Sequence, residues 1–258
     1  MTDDAPRPRV DSTLSKGLAI LENLAMTRGG KGVTDLSREL DLTKSNTFRL
    51  LQSLTTLGYV KHLEDKTYAA TLKTWQIGRA SVENLNLRGA ATAEIAYLNQ
   101  ETSEAVYLAV PEGLSVVYID KAESRQPIRS WNPVGGHAPI HCVGTGKAII
   151  AQNYEAMRGK LEGNLTRYTD LTLTTLEALD EDVAETRARG YAFDRGEFRD
   201  RILSFGAPIV LPDGEAVAAL GVSLPDINLG QGDEDRLGGL VRAAADSVSG
   251  NLRRLQAD

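Results

Sequence analysis

Residues 12 to 72 hold three helical stretches and a strand pair, and their order constrains the fold more than any other feature of the chain. From Ser12, the positions Leu14, Leu18, Leu21 and Ala25 recur at helical spacing, with Ser12 or Thr13 available as N-cap and Gly29-Gly30 to end the run. Thr34 is placed to cap a second, short helix in which Leu36 and Leu40 face inward. Asp41-Leu42 then turns the chain into a third helix, from near Thr43 to Gly58. Tyr59 to His62, the polar tip Glu64-Asp65-Lys66, and Thr67 to Ala70 read as strand, turn and strand. Helix, helix, turn, helix and β-hairpin within about sixty residues is the order of a winged helix-turn-helix.

The third helix tests that expectation residue by residue. At roughly 100° per residue, Thr47, Leu50, Leu54 and Leu57 fall on one side, to pack on the first two helices, while Ser45, Phe48, Arg49 and Gln52 point away. The outward set suits a DNA groove: it can donate hydrogen bonds, pair with phosphate and, through Phe48, touch a thymine methyl. Thr43 and Lys44 at the helix start are placed for backbone phosphate, and Lys61, His62 and Lys66 for wing contacts to the flanking strand. An ordinary solvated face is the alternative, and an outward Phe48 argues against it.

Charge separates this segment from the rest. The 258 residues carry a formal charge of −6, which alone argues against nucleic acid, but residues 1–79 sum to +3 and residues 80–258 to −9. The single cysteine, Cys142, has no partner for an internal disulfide, so a reducing compartment, the cytoplasm, is expected. MTDDAPRPRVD has no apolar segment behind its charges, and the longest apolar stretch, near Ala216 to Val222, falls far short of the roughly 20 residues that span a bilayer. No membrane association is expected.

Residues 72–87 read as a connecting helix whose Leu72, Trp75, Ile77 and Val82 suit a dimer contact, and a dimer suits two DNA half-sites. Beyond it the pattern is a helix at 89–101, strands at Ala105 to Val110 and Leu114 to Ile119, and a third strand near Ile128 to Val134. A helix follows from Gly144 through Ala151, and another, with Thr174 and Glu177 as a capping box, runs to Arg189 and stops at Gly190. Strands near Tyr191 to Phe193, Leu203 to Leu211 and Ala216 to Leu224 precede a final helix from Asp233 to Leu255. Hairpins with helices grouped beside them give an α+β domain.

No catalytic or metal constellation emerges from this part. His141 to Lys147 is not a phosphate loop: the required first glycine is His141, and Ala148 stands where Ser or Thr would hold magnesium. What survives is a Gly-rich turn into a helix, whose free N–H groups can cradle a carboxylate. His137 and His141 have a helical metal-ligand spacing, but Pro139 and the flanking glycines argue against a helix there. Cys142 reads as buried and inert, and Asp194, Arg195, Glu197 and Asp200 as a solvated polar loop. No cofactor is expected.

The ordered motifs LSKGLAILENLA, VTDLSRELDLTKSNTFRLLQSLTTLGYV, PVGGHAPIHCVGTGKAIIA, RARGYAFDRGEF and SFGAPIVLPDGEAVAALGVSLP resemble the IclR family of bacterial transcription regulators over nearly the whole chain. The resemblance implies a winged helix-turn-helix domain at 1–71, a linker helix and dimer contact at 72–87, and a GAF-like effector-binding domain at 88–258. It implies double-stranded operator DNA as partner, a homodimer or dimer of dimers, and a small organic acid as effector. Matched by motif, effector contacts fall on Gly144, Thr145, Asp194, Ser204, Gly221 and Ser223, with Ser130 and Trp131 lining the wall. Ser204 stands where relatives often have Cys, Gly221 at one of two frequent serines, and Thr43 where Pro is common before Lys44. The function implied is repression of a catabolic operon, with an enzyme or a sensor without DNA binding as rivals.

Overall fold

The protein is described from a computed structural model covering residues 11–83 and 87–255, without the side chains of 79–83 and 255; the N-terminal segment, Val82's side chain and positions 84–86 of the linker reading lie outside that description. Two compact units result, Met1–Asn84 and Leu85–Asp258.

The first unit contains α1 (Ser12–Ala25), α2 (Val33–Glu39), α3 (Lys44–Thr56), β1 (Val60–His62), β2 (Tyr68–Ala70) and α4 (Lys73–Glu83). The strands pair antiparallel, with Val60 opposite Ala70. Ile20, Leu21, Leu24, Leu36, Leu50, Leu51, Val60 and Tyr68 close one core. The cap of α1 is Asp11 rather than Ser12 or Thr13: its carboxylate accepts from the Thr13 and Leu14 amides at 2.9 and 2.8 Å, and its charge suits the helix N-terminus. The helix stops at Ala25, before Gly29-Gly30, and Thr34 lies inside α2, whose N-cap is Gly32. The third helix starts where expected, with Thr43 as the N-cap of α3, accepting from the Asn46 amide at 3.3 Å. Leu51 is buried where Leu57 was expected to be; Leu57 is the C-cap of α3, beyond its buried turns, and is exposed.

The second unit holds α5 (Leu87–Thr102), β3 (Ala105–Glu112), β4 (Ser115–Ala122), β5 (His137–Pro139), α6 (Gly144–Gln152), α7 (Tyr154–Leu161), α8 (Leu176–Arg189), β6 (Ala192–Asp194), β7 (Ile202–Val210), β8 (Ala216–Pro225) and α9 (Asp233–Leu255). Its six strands form one sheet in the order β5-β4-β3-β8-β7-β6, every neighbouring pair antiparallel. The strand expected at Ile128 to Val134 is instead an irregular strap, and pairing resumes only at His137 opposite Val117. Pro127 and Pro133 bring no N–H to a ladder, which explains the difference. Sequence reading missed α7, and Thr175, not Thr174, caps α8 by accepting from the Ala178 amide at 3.2 Å.

Alternation along the strands builds two cores. Val106 and Leu108 on β3, Phe205 and Ala207 on β7, and Leu220 and Val222 on β8 pack with α5 and α9. Ala105, Tyr107 and Ala109 face the other way, toward the core of α6, α7 and α8. Helix α6 comes unusually close to the sheet. A Cβ on Gly206 of β7 would lie 2.2 Å from the Gly144 carbonyl oxygen, and a Cβ on Gly144 would lie 2.7 Å from the Ser204 carbonyl oxygen. Backbone meets backbone there, so no larger residue fits without moving the helix.

Two glycine substitutions separate this contact from ordinary helix propensity. Gly206→Ala is expected to lower unfolding free energy by about 1–3 kcal/mol through overpacking. Gly239→Ala, in α9 with open space around its Cβ, is expected to raise it by about 0.5–1 kcal/mol. Urea unfolding of both variants checks the opposite signs.

Candidate functional site

Helix α3 presents a continuous polar face. Thr43, Lys44, Ser45, Phe48, Arg49 and Gln52 are all exposed, as are Lys61 and Lys66 on the hairpin, while Thr47 and Leu50 are buried beneath. Phe48 keeps 45% of its surface in water among these polar neighbours. Arg49 reaches only Asn46 Oδ1, at 3.4 Å, and no carboxylate lies within ion-pair distance of Lys44, Arg49, Lys61 or Lys66 among the described residues. Uncompensated cations beside an exposed helix face suit a polyanion's backbone. The β1–β2 tip is rigid: Asp65 accepts from the Thr67 amide at 3.0 Å, and Tyr68 packs on His62.

The second unit gathers its polar groups by strand register. Asp194 pairs with Ser204, Ser204 with Ser223 and Ser223 with Ala105, so one line crosses β6, β7, β8 and β3 beneath α6. The next line pairs Gly206 with Gly221 and Gly221 with Tyr107. Ser204 Oγ donates to Asp194 Oδ2 at 2.7 Å and accepts from the Gly144 amide at 2.9 Å, tying the start of α6 to the acid. Asp194 Oδ1 accepts the Gly196 and Glu197 amides at 2.9 and 2.7 Å. The Ser223 hydroxyl reaches Ser130 Oγ at 2.9 Å and the Leu203 carbonyl at 3.2 Å, which brings the strap onto the sheet.

Asp194 and Glu197 do not form a solvated loop; they are only 2% and 4% exposed. The reason is Lys147, one turn into α6 and buried itself. Its Nζ donates to Glu197 Oε1 at 2.5 Å, Asp182 Oδ1 at 2.9 Å and the Phe193 carbonyl at 2.9 Å, which uses all three of its protons. Burial works against the Lys147 charge, but the facing carboxylates outweigh it and raise its pKa. Burial pushes Asp194 up to about 6, against the hydrogen bonds from Glu197 and Ser204 and the pull of Lys147. Glu197 is also raised by burial, with Lys147 opposing and Asp194 adding to the rise. Thr169 and Thr172 hydroxyls fasten the turn by donating to the Gly196 and Glu197 carbonyls at 2.8 and 2.6 Å.

These groups enclose a cavity of about 30 Å³. Of the positions matched by motif, Ser130, Thr145, Asp194, Ser204, Gly221 and Ser223 line it. Gly144 lies behind the wall with its amide given to Ser204, and Trp131 is exposed, its ring 5.1 Å from Lys121 Nζ. Thr145 Oγ1 is buried without a hydrogen-bond partner. The motif reading did not include Tyr107, Tyr118, Asn132, Phe198 and Arg199, which also line the cavity. The Asn132 amide donates to Tyr107 Oη at 3.0 Å, and Tyr118 has its pKa raised, mainly by burial. A wider groove of about 650 Å³ along Leu114, Met157 and Lys160 lacks such convergence: its Asn153 is spent on Ala216 and its Glu155 on Arg187. Cys142 is buried with its thiol pKa pushed up by desolvation. His137 and His141 do not share a site, since His137 is exposed beside Glu112 and His141 is buried against the Thr166 carbonyl.

Two family models match the chain: "Bacterial transcriptional regulator IclR C-terminal" over residues 79–250 and "IclR helix-turn-helix domain" over residues 13–64. The chain belongs to the IclR family. It is 30% identical over 250 residues to the transcriptional repressor IclR of Escherichia coli, covering 95% of this chain and 91% of that protein. The crystal structure of Thermotoga maritima IclR superposes with a TM-score of 0.79 at 26% identity, covering 93% of this chain and 98% of that one. An IclR homologue from Microbacterium hydrocarbonoxydans, crystallised with 4-hydroxybenzoate, has the same fold, with a TM-score of 0.80 at 23% identity over 94% of this chain and 100% of that one. An IclR-family chain is a DNA-binding transcription regulator, and α2, the turn after it and α3 are the helix-turn-helix of that assignment, followed by the β1–β2 hairpin. None of its described helices is long and apolar enough to cross a membrane.

The raised Asp194 pKa fixes the sign of a pH effect in this IclR-family protein. The folded state holds the proton more tightly than the unfolded chain, so the contribution is fully present below the unfolded value near 3.8 and is lost as pH rises through about 6. The whole effect is about 3 kcal/mol. Asp194→Asn, neutral throughout, is therefore expected to gain on the wild type by roughly that amount between pH 4 and pH 7.5. Urea unfolding of both proteins at the two pH values checks this, and a constant difference would contradict it.

Proposed function

We propose that the chain is a one-component repressor of a catabolic operon. As a dimer, it reads a pseudopalindromic operator with the α3 face and wing, and its operator affinity is set by a small organic acid held in the cavity of the second unit. The observation that carries the reading is the cavity's convergent chemistry: Asp194, Ser204, Ser223 and Ser130 meet in one space with a buried Thr145 hydroxyl that has no partner. An unpaired buried hydroxyl costs about 1–3 kcal/mol, which a ligand's oxygen can recover. Contacts to DNA fall to Thr43, Lys44, Ser45, Phe48, Arg49, Gln52, Lys61 and Lys66, and contacts to the acid to the lining set, with Gly144 and Trp131 as supports. The apolar side chains on α4, with Trp75 and Ile77 half-exposed, suit the dimer contact.

The cavity is small beside the roughly 300–1,000 Å³ of ordinary ligand pockets, so uptake of an acid requires a wall to move. The strap at 128–134 is that wall: it has no regular pairing and is held to the sheet by the Ser130–Ser223 hydroxyl contact and to the β6–β7 turn by the Arg199–Trp131 bond, while strands, the start of α6 and that turn form the other sides. A ligand that binds the widened arrangement better shifts the population of DNA-competent dimers by that difference in affinity, and by no more. The 4-hydroxybenzoate held by the Microbacterium homologue makes a hydroxylated aromatic acid a first compound to try.

Two measurements test the proposal. Arg49→Ala is expected to weaken specific operator binding in a gel shift by about tenfold or more while leaving acid binding intact; unchanged affinity would remove α3 from the groove. A thermal-shift screen with glycolate, lactate, benzoate and 4-hydroxybenzoate is expected to raise the Tm for one chemical class in proportion to RT ln(1 + [L]/Kd). The double variant Asp194→Ala, Ser223→Ala is expected to lose that shift and the operator response together, and a normal response in it would reject the cavity.

A further inference from the structure

Three arginines stand in the turn between β6 and β7, and they are not equivalent. Arg195 pairs with Glu234 at 3.8 Å, and Arg201 with Asp226 at 3.0 Å. Arg199 lies between them, has no carboxylate within ion-pair distance among the described residues, and alone of the three lines the cavity. Arg199 is exposed at the rim, its guanidinium lies 5.3 Å from the Phe198 ring centre, and one Nη1 proton goes to the Trp131 carbonyl at 3.3 Å, which leaves most of the fork's five donors to solvent or a ligand. The cavity's other charged lining residue is Asp194, whose carboxylate already accepts three hydrogen bonds and has no cation within ion-pair distance among the described residues. The cavity is therefore polarised, with a solvent-facing guanidinium at its rim and a buried acid beneath α6.

That polarity favours one orientation of an organic acid. A second carboxylate placed beside Asp194 meets like charge in a site shielded from water, and the Gly144 amide, the first donor of α6, is already given to Ser204 Oγ. Arg199 instead offers paired, charge-assisted donors in the planar geometry of a carboxylate. We propose that Arg199 is the specificity-determining residue of the cavity: it binds the acid's carboxylate, and the acid's neutral hydroxyl or oxo end lies toward Thr145 Oγ1 and Asp194. The proposal rests on the reading of the cavity as the effector site. Because Nη1 also holds the Trp131 carbonyl, capture of a carboxylate competes with a bond that fastens the strap and so couples binding to widening.

The test is isothermal titration of the full chain with glycolate, lactate and benzoate, each beside its primary amide. The wild type is expected to bind at least one acid about tenfold or more tightly than its amide, and to lose that preference between 50 mM and 500 mM salt. Arg199→Gln is expected to weaken the acid by about tenfold or more and the amide by far less, with Arg199→Lys between wild type and Arg199→Gln for the acid. If Arg199→Gln binds the acid as the wild type does while Asp194→Ala with Ser223→Ala does not, the assignment of Arg199 falls and the cavity reading stands. Equal losses for acid and amide also overturn it, since they mark a structural role. If the wild type binds none of the acids, both fall. Should Arg199→Gln fail to fold, the Arg199→Lys variant and the wild-type salt dependence decide the matter by the same criteria.

Discussion

The backbone contact between Gly144 and Gly206 sets the position of everything around the cavity. A helix that rests on side chains usually stands about 10 Å from its sheet, leaving room between them; here α6 touches β7 directly, because both residues lack a Cβ. Three consequences follow from that one approach. The Gly144 amide comes within reach of Ser204 Oγ, Thr145 is pressed toward Gly221, and Lys147 is carried inward to the turn after β6. A Cβ on Gly221 would lie 2.6 Å from Thr145 Cγ2, so the methyl of Thr145 is held against β8, and its hydroxyl is buried without a partner.

Lys147 then determines the electrostatics. One ammonium faces the carboxylates of Asp182 and Glu197, with Asp194 close behind, so a single positive charge serves a cluster with excess negative charge. Removing a partner from a buried ion pair costs roughly 3–5 kcal/mol, and a cluster of this kind is correspondingly intolerant of change. Burial, which the hydrogen bonds to Asp194 and the pull of Lys147 only partly offset, places the Asp194 pKa near 6, and it makes the interior a poor host for a second full negative charge. The helix face of the first unit has the opposite design: its cations are exposed and, among the described residues, without carboxylate partners, ready for exchange with phosphate.

Much of this was legible in the sequence, for reasons that differ between the two units. The helix-turn-helix depends on local signals, helical spacing with caps and a polar hairpin tip, so its elements and the outward set on α3 could be read directly. Errors there lay mostly at ends, as where Asp11 outcompetes Ser12 for the α1 cap, and in the inward side of α3, which includes Leu51. In the second unit, family motifs pointed to Asp194, Ser204 and Ser223, but not to why they meet, because Lys147 and Glu197 are 50 residues apart in the chain and pair only once α6 is seated. The same distance hid the burial of Asp194 and Glu197, which sequence alone presents as an ordinary charged loop. Tyr107 carried a weak signal, since period-two alternation places it on the face of Ala105 and Ala109, but nothing local said that β3 lies beside β8. The strap was misread as a strand because its apolar residues outnumber its prolines.

The central claim is that a small acid enters the space bounded by the start of α6, the 194–199 turn and the strap. Hydrogen–deuterium exchange on the full chain, with and without an acid that binds it, tests this most directly. The account predicts slower exchange at the amides of 144–146 and 196–199, changed exchange across 128–134, and none along the groove at Leu114 and Met157. Protection confined to that groove, with the first three segments unaltered, would contradict it.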